Sequence, residues 1–393
     1  MNGVKVAATT LFLLTVVFSC QKKSKAPTIR RSFSLNMEAI ASKLMERSHL
    51  QPGERVLLMA KPGGFDSLIA LLSGKIKKAG AVYFGTISVD SASWPEGWKT
   101  DFTRSTEGKT KEELGKLFHG VDLGIMLPGA TPADVPYKAL QDVLNLGKVR
   151  TIHFHWSGAY DFSTNPVPID TGVSRIYERA LLETDYQKLS KVQEEFEHAL
   201  RKGGATIITS KGTNLTFKIG DRPVTKQDGD ASLARTQKAH NLIDREIELP
   251  AGAIRVAPLE ETVEGTIAFP DALWNDQKVE GLVLTFKKGK VTDINALIGA
   301  AAVKAELDRG GEAGHSFREL AVGFNPLLAI PEDKHWIPYY GYGAGVVRLS
   351  LGDNSELGGK VTGGYVRWNL FTDATVIVGN EVWVKNGKLL RLD

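Results

Sequence analysis

Strand-like hydrophobic runs and amphipathic segments alternate along the first half of the chain. Arg55–Ala60 is an apolar run typical of a buried strand, Phe65–Ala79 has the spacing of an amphipathic helix, and Ala81–Ile87 is again strand-like. Gly80 ends the helix, so these segments predict a β-α-β unit with parallel strands. The alternation continues through predicted elements at Leu35–Leu50, Thr110–His119, Val121–Leu127, Tyr137–Leu146, Val149–His155, Thr184–Lys202 and Ala205–Thr209. This order predicts an open α/β sheet.

After Arg222 the pattern changes to one dominated by strands. Lys288-Gly289, Gly379-Asn380 and Asn386-Gly387 are two-residue hairpin signals. One main helix is predicted at Ile294–Arg309, among strands at Ile247–Leu249, Ala253–Val256, Val263–Phe269, Leu282–Phe286 and Glu319–Gly323. We therefore expect an α/β domain over residues 35–222 and a strand-rich α+β domain over residues 223–393.

The segment Tyr339–Asn369 combines aromatic residues, glycines and two arginines in two short β-runs. Alternation places Arg348 and Ser350 on one face of the first run, and Arg367 and Asn369 on one face of the second. The glycine pairs between the runs leave room for close backbone approach, as around a cleft. A glycine-rich hairpin without a ligand fits the same pattern, so both interpretations stay open.

Composition excludes few classes of protein. The chain has 393 residues, 42% hydrophobic and 24% charged, which is typical of a globular protein with two domains or more. The net charge of +4 is spread along the chain, so binding to nucleic acid has no support.

The N-terminus predicts an exported protein. Lys5 precedes the apolar run Val6–Phe18, which is too short to span a bilayer and is typical of a secretory signal. Cys20, the only cysteine, follows the run where a bacterial lipoprotein signal would be cut and lipidated. We expect a signal peptide over residues 1–19 and a polar tether over residues 20–34. The chain would then be lipid-anchored in the bacterial cell envelope and face the periplasm; the alternative is a simple cleaved signal.

Common catalytic motifs are missing from the sequence. It has no dinucleotide-binding glycine motif, P-loop, nucleophile elbow or H-E-x-x-H zinc motif. His153 and His155 alternate on one predicted strand and could chelate a metal, but two ligands are too few and no carboxylate partner is obvious. The pair also fits an ordinary strand end.

A series of segments resembles the thermophilic metallo-aminopeptidase family of the aminopeptidase T type. In chain order the segments are PGERV from Pro52, GTNLTF from Gly212, LPAG from Leu249, VAP from Val256, VEGT from Val263, EGLVLTF from Glu280, KGKV from Lys288, REL from Arg318, GFNP from Gly323 and LGDN from Leu351. The resemblance covers most of the chain from about residue 36. It implies a Rossmann-like N-terminal domain and a β-rich C-terminal domain that carries two divalent metal ions.

The resemblance also implies which positions would hold the metals. The family's ligands are two glutamates, two histidines and an aspartate. The first glutamate falls on Ala253, the second matches Glu319 and the first histidine falls on Arg348. The His-x-Asp strand falls on Arg367 to Asn369. Glu319 is therefore the one ligand retained and the candidate catalytic residue, while Ala253 is a degenerate metal position.

Charge argues against a metal pair at these positions. Arginine stays protonated at any working pH. A guanidinium about 4 Å from a divalent cation, at an effective dielectric constant near 20, costs at most about 8 kcal/mol. We therefore expect no metal cofactor.

The remaining polar residues suggest three hypotheses. Arg348, Arg367 and Asn369 would form a cationic floor, walled by aromatic residues, that binds a peptide or small anionic ligand. The wall candidates are Tyr340 and Tyr342, with Trp336, Tyr339 and Trp368. The same arginines could instead form a structural salt-bridge cluster with Glu319 in an interaction subunit of an envelope complex. The third hypothesis is an active metal-dependent aminopeptidase with displaced ligands such as His315, His335 and Glu319. A homodimer also stays open.

Overall fold

The computed structural model describes residues 34–391, and Leu35–Asp393 forms one compact unit. The predicted signal peptide, Cys20 and nearly all of the predicted tether lie outside the described residues. Among the residues described, no helix is long and apolar enough to cross a membrane.

Ten α-helices and 23 strands make up the described part of the chain. The helices are α1 (Met37–Ser48), α2 (Asp66–Lys78), α3 (Asp101–Arg104), α4 (Lys111–Phe118), α5 (Val135–Asn145), α6 (Thr171–Glu183), α7 (Tyr186–Gly203), α8 (Leu233–Gln237), α9 (Ala300–Arg309) and α10 (Gly311–Gly314). The first twelve strands are β1 (Arg55–Ala60), β2 (Val82–Ser88), β3 (Leu123–Met126), β4 (Arg150–Phe154), β5 (Ala159–Asp161), β6 (Pro166–Val167), β7 (Ala205–Ile208), β8 (Asn214–Phe217), β9 (Val224–Lys226), β10 (Glu246–Leu249), β11 (Ala253–Val256) and β12 (Glu264–Ala268). The others are β13 (Ala272–Trp274), β14 (Gln277–Val279), β15 (Val283–Lys287), β16 (Lys290–Asn295), β17 (Phe317–Gly323), β18 (Trp336–Ile337), β19 (Val347–Gly352), β20 (Val366–Phe371), β21 (Thr375–Val378), β22 (Glu381–Lys385) and β23 (Lys388–Leu389).

The N-terminal half is built on a parallel sheet with the strand order β10-β4-β3-β1-β2. Its inner strands β1, β3 and β4 are almost entirely buried, as expected of a parallel sheet covered by helices. The β1-α2-β2 unit has the predicted parallel pairing. The predicted fold class, an α/β part followed by a strand-rich α+β part, is confirmed.

Two antiparallel sheets dominate the rest of the molecule. One has the strand order β20-β19-β17-β11-β9, and we call it the site sheet. The other has eight strands in the order β16-β15-β12-β8-β7-β21-β22-β23. Strands β7 and β8 precede residue 222 and lie in the eight-stranded sheet, whereas β10 follows it and lies in the parallel sheet. The predicted domain boundaries at residues 35, 222 and 223 stay predictions.

The main predicted helix of the second half begins later than its sequence pattern indicated. Its predicted start at Ile294 lies in β16, which pairs with β15 so that Leu284 faces Ile294. The turn at Lys288 and Gly289 has positive φ angles of 49° and 74°, which closes this hairpin. The helix α9 starts only at Ala300. Tertiary pairing therefore outweighed helical spacing in this segment.

Candidate functional site

Four strands of the site sheet place the candidate residues by their register. In antiparallel neighbours, directly paired residues point to the same face. Glu319 pairs with Ser350, which pairs with Trp368, so these three side chains share one face. Ala321 lies two residues after Glu319 on β17 and therefore points to the same face. It pairs with Arg255 on β11 and with Arg348 on β19, so both arginines also lie on that face.

Ala253 lies on the same face, because it sits two residues before Arg255 on β11. Its side chain is buried and packs in an apolar cluster that includes Tyr339 and Tyr342. The position to which the resemblance assigned a first glutamate therefore holds a methyl group in an aromatic environment. It offers no electron pair to a cation.

Arg367 and Asn369 lie on the opposite face of the site sheet. Asn369 pairs with Leu349, and Arg367 pairs with Leu351, so both point away from Arg348 and Glu319. The expected cationic floor of Arg348, Arg367 and Asn369 is therefore wrong: alternation within each strand was as predicted, but the register between them was not available from sequence. Trp368 is the residue of this strand that faces Glu319. The positions to which the resemblance assigned the His-x-Asp ligands, Arg367 and Asn369, therefore do not face Glu319.

The side chain of Arg367 is fully engaged where it lies. Its guanidinium donates to Glu306 Oε1 (2.8 Å), to the Leu273 carbonyl (2.9 Å) and to Asn369 Oδ1 (3.2 Å). It also stacks over the ring of Trp274, 3.6 Å from the ring centroid. These contacts assign Arg367 to a structural network, which we call the Glu306 cluster.

Glu319 is fully buried and surrounded by arginines, an arrangement that we call the Glu319 cluster. Arg255 donates to Oε2 at 3.1 Å, and Ser350 donates to Oε1 at 3.2 Å. Arg348 Nη2 lies 3.2 Å from Oε1, and Arg318 Nε lies 3.8 Å from the same atom. Burial by itself would raise the pKa of Glu319, but Arg255, Arg348 and Arg318 lower it far below its ordinary value. The carboxyl group is therefore ionised.

A second carboxylate completes the Glu319 cluster. Glu356 accepts from Arg255 at 3.1 Å and also from Arg318, and its side chain is 43% exposed. Burial lowers the pKa of Arg255, but Glu319 and Glu356 raise it above its ordinary value. Three guanidinium groups therefore face two carboxylates, and the cluster has an excess of one positive charge. Sequence analysis missed Arg255 and Glu356, although a single arginine in the apolar strand Ala253–Val256 was a usable signal.

Arg348 leaves two donors without a hydrogen bond, whereas Arg318 leaves one, its Nε. The side chain of Arg348 is 2% exposed, and neither Nε nor Nη2 makes a hydrogen bond, since Nη2 meets Glu319 at an unfavourable angle. Nη1 makes only a long contact, 3.5 Å, with the Tyr340 carbonyl. The guanidinium centre lies 4.3 Å from the ring centroid of Trp368. Buried polar groups usually have partners, so this arginine is an exception that calls for an explanation.

An aromatic pocket of about 390 Å³ lies next to Arg348. It is lined by Tyr160, Thr164, Tyr340, Val366, Trp368 and Leu370. The rings of Tyr340 and Trp368 meet edge to face at 5.7 Å, and Ser157 shares a hydrogen bond of 2.8 Å with the Tyr340 hydroxyl. Two predicted wall residues, Tyr340 and Trp368, therefore do line a cavity. Tyr342 does not line it, because it is buried and donates to Glu248.

A second buried polar group lies where the parallel strands β4 and β10 run side by side. The Tyr137 hydroxyl lies 2.6 Å from His153 Nδ1, and His153 Nε2 lies 3.5 Å from Glu246 Oε1. Burial raises the pKa of Glu246 to about 8, partly offset by a hydrogen bond from Gln141. Burial, with His155 beside it, lowers the pKa of His153. This group was not predicted beyond the histidine pair.

The donor set does not fit the two metal ions that the resemblance implies. Glu319 is the one carboxylate on the face of the site sheet that it shares with Ser350 and Trp368. Its oxygens already face three guanidinium groups. The displaced ligands proposed as an alternative lie apart: His315 bonds Asp308 at 3.0 Å, and the ring of His335 packs against Phe162. Across residues 34–391, no group of three or more His, Cys, Asp or Glu residues is placed to hold a metal ion.

Comparisons with known proteins agree with the predicted resemblance. A family model described as thermophilic metalloprotease (M29) matches residues 174–326, a span that includes Ala253 and Glu319 and ends before Arg348. No curated protein sequence matches the chain significantly. Two solved structures share the fold. Wild-type AmpT from Thermus thermophilus is 17% identical with a TM-score of 0.58, covering 90% of this chain and 99% of its own. 2,5-Dihydroxypyridine dioxygenase from Pseudomonas putida is 12% identical with a TM-score of 0.57, covering 90% and 97%.

Proposed function

We propose that this chain is a lipid-anchored protein of the bacterial cell envelope that uses an aminopeptidase-like scaffold to bind a peptide or small anionic ligand without hydrolysing it. The observation that carries the proposal is the set of three guanidinium groups around Glu319. They lie on the sheet face where the family resemblance implies two cations.

The chemistry of guanidinium supports binding rather than hydrolysis. A metal pair activates water by coordinating it and lowering its pKa. A guanidinium has no empty orbital for water and keeps its proton at working pH, so it donates hydrogen bonds to anions instead. The arginines supply the positive charge that the buried Glu319 needs, but they cannot coordinate and activate a water molecule as a metal does.

The scaffold itself does not decide the reaction. One solved structure with this fold is AmpT and another is a dioxygenase, so unlike proteins share one architecture. The function therefore depends on the side chains on the face of the site sheet that carries Glu319. Those side chains favour recognition of a negatively charged group.

The experiment that tests this proposal combines metal analysis with a turnover assay. The purified chain is incubated with zinc or cobalt, dialysed, and assayed on aminopeptidase substrates beside Thermus AmpT as the positive control. We expect less than about one tenth of a metal ion per chain and no turnover, because guanidinium groups repel the cations. Two bound ions with turnover would overturn the proposal in favour of a working peptidase.

The lipid anchor has its own test. Cys20→Ser removes the thiol that would carry the acyl chains, so the variant should move from the membrane fraction to the soluble periplasmic fraction. Labelling of the wild-type chain with a radioactive fatty acid, absent from the variant, is the second readout. Equal membrane association of both proteins would contradict the anchor.

A further inference from the structure

The pocket beside Arg348 has the lining of a site for an apolar side chain. Tyr160, Tyr340 and Trp368 supply aromatic surface, and Val366 and Leu370 supply aliphatic surface. Val366 and Trp368 are 44% and 37% exposed, so the pocket opens to solvent on this side. Pockets that bind small groups are typically apolar with a few polar groups that set orientation.

Arg348 is the polar group positioned to set orientation here. Its guanidinium stacks on the ring of Trp368, and its Nη1 lies 3.5 Å from the Tyr340 carbonyl, so Arg348 adjoins two walls of the pocket. Nε and Nη2 are the pair of donors that lie parallel on one edge of a guanidinium, and neither makes a hydrogen bond, although Nη2 lies 3.2 Å from Glu319 Oε1. This edge is the one that binds a carboxylate through two parallel hydrogen bonds.

The charges around the pocket favour a carboxylate over an ammonium group. Both carboxylates of the Glu319 cluster are held by three guanidiniums, and the nearby carboxylate Glu248 accepts from Tyr342 and makes no ion pair with an arginine among the described residues. A peptide N-terminus would bring a further positive charge next to Arg348. A peptide C-terminus would bring a negative one.

We infer that the site binds the C-terminal residue of a peptide, or a related monocarboxylate, with its apolar side chain in the pocket and its carboxylate on Nε and Nη2 of Arg348. This inference rests on the proposed binding function and specifies which end of a peptide is recognised. Because both nitrogens are buried beneath the indole ring, Trp368 must turn away from the guanidinium to admit the carboxylate.

Isothermal titration with four probes tests the inference. The probes are Ala-Ala-Phe, its C-terminal amide, its N-acetyl form and free 3-phenylpropionate. We expect the amide to bind at least about tenfold more weakly than the acid, because it loses a charge-assisted pair of hydrogen bonds. N-acetylation should leave affinity unchanged. Binding of 3-phenylpropionate at an affinity near that of the peptide would identify a free acid as the source, and much weaker binding would identify a peptide.

Three variants connect the preference to the residues. Arg348→Gln should abolish the difference between acid and amide. Arg391→Gln is the matched control, because Arg391 also stacks on a tryptophan, Trp383, and pairs with a glutamate but lies elsewhere. Val366→Glu leaves the buried cluster intact and places a carboxylate at the pocket rim, so it should weaken binding of the acid and spare the amide. It keeps the test available if Arg348→Gln fails to fold.

The outcomes separate this inference from the proposed function. Equal affinity for acid and amide, loss of binding on N-acetylation, or no binding of any probe overturns the inference. Retained metal with hydrolysis of Ala-Ala-Phe from its N-terminus overturns the proposed function instead. Peptide binding without hydrolysis and without preference for the acid leaves the proposed function standing and removes the C-terminal assignment.

Discussion

Two clusters that each combine arginine, glutamate and tryptophan lie on opposite faces of the site sheet. In the Glu319 cluster, Arg348 meets a glutamate and stacks on Trp368. In the Glu306 cluster, Arg367 meets a glutamate and stacks on Trp274. Both arginines were candidates for ligand binding by sequence, and residue type does not distinguish them.

The clusters differ in how many donors are already used. Arg367 donates from Nε, Nη1 and Nη2 to three acceptors at 2.8 to 3.2 Å. Arg348 has two nitrogens that make no hydrogen bond, although one of them lies 3.2 Å from Glu319, and a third with one long contact. An arginine beside aromatic rings is therefore not enough to indicate a binding site. A structural arginine has all its donors in hydrogen bonds, whereas one able to receive an anion has donors to spare.

The largest expected effect comes from removing the central charge of the Glu319 cluster. Glu319→Gln leaves three guanidiniums, two of them 2% exposed, without their shared carboxylate, and we expect the free energy of unfolding to fall by about 3–5 kcal/mol. Glu306→Gln, the counterpart, should cost about 1–3 kcal/mol, because a single arginine depends on it. Urea unfolding measures both. Equal losses would mean that the two clusters are energetically alike.

Substitution of Arg348, but not of Arg367, should weaken ligand binding. Arg367→Gln breaks satisfied hydrogen bonds, so it should lower the free energy of unfolding by about 1–3 kcal/mol and leave affinity for Ala-Ala-Phe unchanged. Arg348→Gln should lower affinity, and it should also cost stability, because the buried Glu319 loses one of its three arginines. Unfolding curves and titrations of the two variants decide this. A loss of affinity in Arg367→Gln would place the ligand on the wrong face.

The pH dependence should distinguish buried glutamates with and without arginine partners. The pKa of Glu319 is lowered, so its contribution to stability is present above the ordinary glutamate value of 4.5 and is lost as pH falls below it. The pKa of Glu246 is raised to about 8, so its contribution is present below pH 4.5 and is lost as pH rises towards 8. Each slope is at most about 1.4 kcal/mol per pH unit.

The matching variants give the control for this prediction. Glu319→Gln should flatten the acid limb of a plot of unfolding free energy against pH, and Glu246→Gln should flatten the limb between pH 5 and 8. If Glu319→Gln removed the slope between pH 5 and 8, the assignment of the charged and neutral carboxyl groups would be reversed.

The smallest expected effects come from the neutral hydroxyls that complete each cluster. Ser350 donates to Glu319 at 3.2 Å and Tyr365 donates to Glu306 at 2.9 Å. Ser350→Ala and Tyr365→Phe should each lower the free energy of unfolding by about 1 kcal/mol, the usual net value of one hydrogen bond. Thermal or urea unfolding suffices. A loss several times larger in either variant would reveal cooperativity within that cluster.

Which side chains share a face within one strand could be predicted from the sequence, but the register between two strands could not. Alternation placed Arg348 with Ser350 and Arg367 with Asn369 correctly, because side chains in a strand alternate at fixed period. The register of β19 against β20 depends on the long connection over residues 353–365, which is no two-residue hairpin, and a shift of one residue exchanges the faces. That shift brought Trp368, not Arg367, to the site.

The fold was easier to predict than the site because its signals are local. The β1-α2-β2 unit follows from apolar runs, helical spacing and glycine stops within about 35 residues. The more distant partners of Glu319, by contrast, come from β11 and β19, up to 64 residues away in sequence. A pattern in one segment carries no information about such contacts.

Anomalous diffraction from crystals soaked in zinc tests the central claim most directly, because it locates any metal relative to the arginines. We predict no anomalous peak near the Glu319 carboxylate, because the guanidinium groups of Arg255 and Arg348 already lie 3.1 and 3.2 Å from its oxygens. Two peaks about 4 Å apart beside Glu319, with both arginines turned aside, would be the signature of a metal pair and would contradict it.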